Sequence, residues 1–87
     1  MDIPPELRQI IGKTVRGRRI LKGMSIETLS EESSLDDKHI GRIERGEANI
    51  TIETLYKLSL GLGLKSLLEL LIEADQEVYQ KHKKEIE

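Results

Sequence analysis

The chain has 87 residues, enough for one small domain, with a net charge of −2 and two aromatic residues, Tyr56 and Tyr79. It has no Cys, which excludes disulfides and thiolate zinc sites, and His39 and His82 pair at no metal-ligand spacing, so no metal and no cofactor is expected. No apolar run is long enough to span a bilayer, and the N-terminus has no basic stretch leading into an apolar one; a cytoplasmic protein without a membrane partner is expected. So few rings also argue against a surface that stacks single-stranded bases. The charge is uneven. Residues 1–22 carry six basic and two acidic side chains, residues 23–50 three and seven, and residues 51–87 five and seven. Any basic face is therefore local and led by the first segment.

Pro4 and Pro5 suit an N-terminal turn or a first helical turn. Leu7, Ile10, Ile11 and Val15 then recur at helical spacing, predicting a helix over 6–22 that Gly23 stops. Ser25 is a good N-cap for a second helix over 26–32, with Leu29 as its main core residue. A turn over 33–35 leads to Asp36, which caps a third helix running to Arg45 with Ile40 and Ile43 inward; Gly46 ends it. Residues 47–50 read as a loop. Thr51 caps a fourth helix carrying Leu55, Leu58 and Leu62, and Gly61 and Gly63 mark a frayed end. Ser66 caps a fifth helix over 67–84, and the charged last residues, 81–87, are expected to fray. No stretch alternates with period two long enough to make a strand. The expected fold is all-α, a bundle of four to five helices forming one domain over 1–87. Its helix-turn-helix spans about 26–45, and its C-terminal helix spans about 66–84.

The stretch "GMSIETLSEESSLDDKHIGRIERG", followed by "ITIETLYKLSLGLGL", goes beyond that generic pattern. It resembles the Cro and phage-repressor family, also called the Xre family, over about residues 11–71. The rhythm of "LDDKHIGRIERGEANITI" is also similar to the controller proteins of restriction–modification systems. The resemblance implies a lambda-repressor-like bundle, a recognition helix at 37–45 lying in the major groove, and homodimers on paired half-sites of double-stranded DNA. Four positions depart from the family pattern: the family's frequent Ala in the second helix is Ser30, the third helix begins with Asp37 where relatives often place Arg, Gln or Ser, and Ile26 and Ser34 differ as well. The family's Gln after the second helix's N-cap is Ile26, which leaves only a backbone N–H for a phosphate. The family's turn Gly is Ser34, which would cost about 1 kcal/mol if its backbone is left-handed.

On the third helix, Lys38, His39 and Arg42 face outward. Lys38 and Arg42, four apart, share a face, and Arg42 suits a bidentate contact to guanine. Asp36 reads as the cap. Asp37 has two readings, a first-turn acid that steadies the helix or an acceptor for cytosine N4. Arg45 and Asn49 flank the following loop and suit phosphate contacts, which Arg16, Arg18 and Lys22 extend from the first helix. By the resemblance, Arg19 and Glu44 form an ion pair that braces the first helix against the third, with a second role for Arg19 on a phosphate. The fifth helix has more apolar residues than one buried face needs. Leu68, Ile72 and Tyr79, with Leu60 and Leu64, suit a two-fold interface between copies. Adjacent Asp36 and Asp37 diverge on a helix, and no nucleophile–base pair or phosphate loop is present, so no enzymatic activity and no small-molecule ligand is expected. The function expected is a DNA-binding transcription regulator or repressor. The rival is an antirepressor or antitoxin-like interaction module with weak or lost DNA binding.

Overall fold

The computed structural model describes residues 5–86, so the reading of Pro4 lies outside the described residues. Five helices follow in order: α1 (Pro5–Leu21), α2 (Ile26–Ser33), α3 (Asp37–Glu44), α4 (Ile52–Gly61) and α5 (Leu68–Ile86). Three begin on side-chain caps. Ser25 Oγ accepts from the Thr28 N–H, Asp36 Oδ1 from the Lys38 N–H, and Thr51 Oγ1 from the Thr54 N–H. Each cap satisfies one of the orphan donors that a helix start leaves open.

α1 packs on both α3 and α5, while α2 packs on α3 and α4. The core joins Ile11 and Val15 of α1, Leu29 of α2, Ile40 and Ile43 of α3, Leu55 and Leu58 of α4, and Leu70 and Ala74 of α5. Leu62 completes it beyond the end of α4, and Ala48 and Ile50 enter it from the loop between α3 and α4. That loop is therefore more than a connector. Two of its residues are buried and fix the path from α3 to α4.

Two close approaches set the helix spacing. A Cβ on Gly12 would overlap the carbonyl oxygen of Ile43 and lie 2.8 Å from that of Glu44, so α1 meets the backbone of α3 there. A Cβ on Gly61 would lie 2.9 Å from both Leu29 Cδ1 and Ser33 Cβ, so α4 meets α2 there. This corrects the expected frayed end. Gly61 is a buried helical residue whose missing side chain admits α2. Gly63 alone, at φ 69°, turns the chain out of α4 while the Leu64 N–H donates back to the Ser59 carbonyl.

At the start of α5, Ser66 Oγ accepts from the Leu68 N–H at 3.1 Å, the capping contact expected of it, and the helix begins one residue later than expected, at Leu68. At its far end α5 continues to Ile86 where fraying is expected. Its last stretch consists of good helix formers, and Lys83 and Lys84 sit where the dipole favours cations.

Ser34 has φ 61° and ψ 30°, the only left-handed non-glycine among the described residues. It ends α2 and starts the turn into α3. Ser34→Gly should stabilise the domain by about 1 kcal/mol by removing the Cβ penalty. A thermal melt should then show a midpoint raised by about 4–8 °C.

Candidate nucleic-acid interface

α2 and α3, joined by the turn through Ser34 and Leu35, form the two arms of a helix-turn-helix. α3 is fixed from the inside by Ile40 and Ile43, both fully buried. A polar brace fixes it from its C-terminal end. Arg19 Nε donates to Glu44 Oε2 at 2.8 Å and Nη2 donates to Oε1 at 3.0 Å, a two-pronged pair. Arg19 Nη1 also donates to the Met24 carbonyl at 2.9 Å, which ties the α1–α2 connection to the same point. The side chains are 12% and 6% exposed. The hydrogen bonds to Glu44 raise the Arg19 pKa, overcoming the burial that lowers it, so the guanidinium stays charged.

The outward side of α3 and the start of α2 enclose a shallow concavity lined by Ile26, Glu27, Asp37, Lys38, Gly41, Arg42 and Arg45. It brings together three of the residues expected to meet bases (Asp37, Lys38 and Arg42) and two expected to meet phosphates (Ile26 and Arg45). Asp37, Lys38 and Arg42 are exposed, and the side chains of all three are without an ion pair or hydrogen bond among the described residues. His39 is half-buried and lies off this lining. Gly41 explains itself here. An added Cβ would stand 3.2 Å from Arg45 Nη1, so the bare backbone lets the Arg45 side chain lie across α3. Arg45 Nε meanwhile donates to Glu47 Oε2 at 3.1 Å on the surface.

The remaining expected phosphate contacts are dispersed. Lys22 Nζ donates to the Leu62 carbonyl at 2.7 Å, so this ammonium caps the end of α4. The three guanidinium nitrogens of Arg19 are all engaged in the brace. Asn49 accepts from Arg8 Nη1 at 2.8 Å through Oδ1, which ties the loop to α1. Of the α1 cations expected at DNA, Arg16 is the one left exposed with no partner among the described residues. Glu27, the acid in the first turn of α2, also lines the concavity. Its position follows from the packing of α2 on α3.

On α4 and α5, Leu60, Leu68, Ile72 and Tyr79 are each more than half exposed, while Leu64, between the two helices, packs partly against the core. Ile72 also lines a shallow apolar groove with Leu7, Leu71 and Asp75. No helix among the described residues is long and apolar enough to cross a membrane.

A capped helix pair with a braced second member and an outward basic face defines a helix-turn-helix domain. The helix-turn-helix family model matches residues 15–70, and the chain belongs to that family, in its Xre class. The control protein C.BamHI of Bacillus amyloliquefaciens is 38% identical over 66 residues, which span 72% of this chain and 82% of that protein. The crystal structure of the restriction–modification controller protein C.AhdI from Aeromonas hydrophila superposes with a TM-score of 0.69 at 35% identity, covering 72% of this chain and 94% of that one. The controller protein C.Esp1396I, solved as a tetramer in complex with its natural 35-base-pair operator, superposes with a TM-score of 0.71 at 33% identity, covering 78% and 92%.

Proposed function

We propose that the protein is a sequence-specific transcriptional regulator of one domain that binds a two-fold operator in double-stranded DNA as a homodimer, with α3 in the major groove. The observation that carries this reading is the outward face of α3, where Lys38 and Arg42 stand unpaired among the described residues while the same helix is locked from behind by Ile40, Ile43 and the Arg19–Glu44 pair. Cations held in water on a rigid helix, rather than used within the fold, suit contact with an anionic partner. Arg42 takes a guanine through O6 and N7, Lys38 reads beside it, and His39 stands at the edge of the contact. Arg45, Arg16 and the backbone N–H of Ile26 set the register on phosphates. Arg19 and Lys22 act within the fold and are not assigned to DNA. The operator-bound tetramer of C.Esp1396I supports the same class of partner.

Leu60, Leu64, Leu68, Ile72 and Tyr79 form the two-fold interface. An apolar patch of this extent is unusual on a small monomer, and a two-fold contact covers it with itself. The two copies of α3 then lie about 34 Å apart, one turn of DNA.

Two experiments test the reading. Arg42→Ala should weaken binding to the selected operator by about 1–3 kcal/mol in a gel-shift titration and relax the base preference at one position of each half-site. Unchanged affinity and preference would remove Arg42 from the base contacts. Sedimentation of the wild type should give a dimer, and Leu68→Glu with Ile72→Glu should give a folded monomer. A wild type that sediments as a monomer would sink the interface.

A further inference from the structure

Asp37 and Glu27 are the two acids that line a concavity also holding Lys38, Arg42 and Arg45. The cap of α3 is already supplied by Asp36, whose carboxylate accepts from the Lys38 N–H at 2.8 Å. Asp37 has no such duty. Its side chain is exposed and without a partner among the described residues, and it lines the same concavity as Lys38, Arg42 and Arg45. Gly41, one turn further along α3, leaves the floor between Asp37 and Arg45 bare. A carboxylate facing DNA is repelled by phosphates, and Lys38 and Arg42, both without a partner among the described residues, offset that repulsion at this spot. It also accepts hydrogen bonds and cannot donate them. In the major groove, cytosine offers the N4 amino donor, guanine offers only acceptors, and thymine an acceptor with a methyl group. Adenine offers a donor too, but beside the N7 acceptor, which repels a carboxylate.

Resting on the DNA-binding reading above, we propose that Asp37 is a specificity-determining residue that accepts a hydrogen bond from cytosine N4 in each operator half-site. It rejects guanine and thymine by setting acceptor against acceptor. The acid thus lowers affinity for DNA in general and raises it for one base. The cytosine N4 carries two hydrogens. One pairs with guanine, and the other points into the groove, where Asp37 accepts it. A methyl group on N4 takes the place of that second hydrogen.

The test begins with selection of bound duplexes from a random pool by the wild-type chain. Competition binding follows with the selected duplex and with the same duplex carrying N4-methylcytosine at the assigned position. The wild type should favour cytosine at one position of each half-site and lose about tenfold in affinity on N4-methylation there. Asp37→Ala should bind random duplexes at least as tightly as the wild type, show no cytosine preference at that position and be indifferent to the methyl group. If Asp37 only steadies the first turn of α3, Asp37→Ala will weaken binding evenly, keep the preference at every position and overturn the assignment. A wild type that selects a two-fold sequence but tolerates the methyl group at every cytosine overturns it too, while leaving the DNA-binding reading standing. Selection of no sequence at all overturns both.

Discussion

Glu44→Ala should lower the stability of the domain by about 3–5 kcal/mol, the usual cost of removing one member of a buried ion pair. The loss comes from what stays behind. The Arg19 guanidinium would keep its charge while losing both hydrogen bonds to the carboxylate, and only the Met24 carbonyl would remain. A melt followed by circular dichroism should show the midpoint falling by on the order of 15 °C or more. Glu44→Gln keeps an acceptor at the same place and should lose less. Because the pair fixes the end of α3 to α1, DNA binding should also weaken at temperatures where Glu44→Ala remains folded. A Glu44→Ala protein that melts with the wild type would show that Ile40 and Ile43 hold α3 unaided.

Gly12→Ala should be as damaging by a different route. The new methyl group would meet the carbonyl oxygens of Ile43 and Glu44, which are backbone atoms at the end of α3 and cannot rotate aside. α1 must then move away from α3, disturbing the contacts of Ile11 and Val15 and stretching the Arg19–Glu44 pair that bridges the same two helices. A loss of about 3 kcal/mol is expected, at the upper end for overpacking, because no side chain can give way. Gly17→Ala is the internal control. Nothing lies within 4 Å of its added Cβ, and replacing an exposed helical glycine should stabilise the domain by about 0.5–1 kcal/mol. If Gly12→Ala and Gly17→Ala change the melting midpoint alike, the close approach of α1 to α3 does not govern the fold.

The helix order and the caps are legible from residue type and spacing. Ser25, Asp36 and Thr51 each stand just before an apolar periodic run, and each is a cap in the structure. Local pattern fails where a residue's role depends on a distant element. Gly61 looks like a helix end in its own sequence neighbourhood. Its role, admitting Leu29 and Ser33 of α2, exists only once α2 and α4 pack. Lys22 looks like one more cation of a basic helix, yet its ammonium caps Leu62, 40 residues away in sequence. Ala48 and Ile50 sit in too short a segment to show a period, so their burial is invisible to it. The face of α3 is the part most open to sequence reading. Asp37, Gly41 and Arg45 recur at helical spacing, as do Lys38 and Arg42, and these five residues line one concavity.

The most direct test is whether this chain selects a DNA sequence. Incubated with a pool of random duplexes at moderate salt, the wild-type protein should enrich a two-fold symmetric site with half-sites about 10 base pairs apart. Its affinity should fall with salt at a log–log slope of about −0.9 per phosphate neutralised. Enrichment of no sequence would contradict the account and favour an interaction module that has lost its operator.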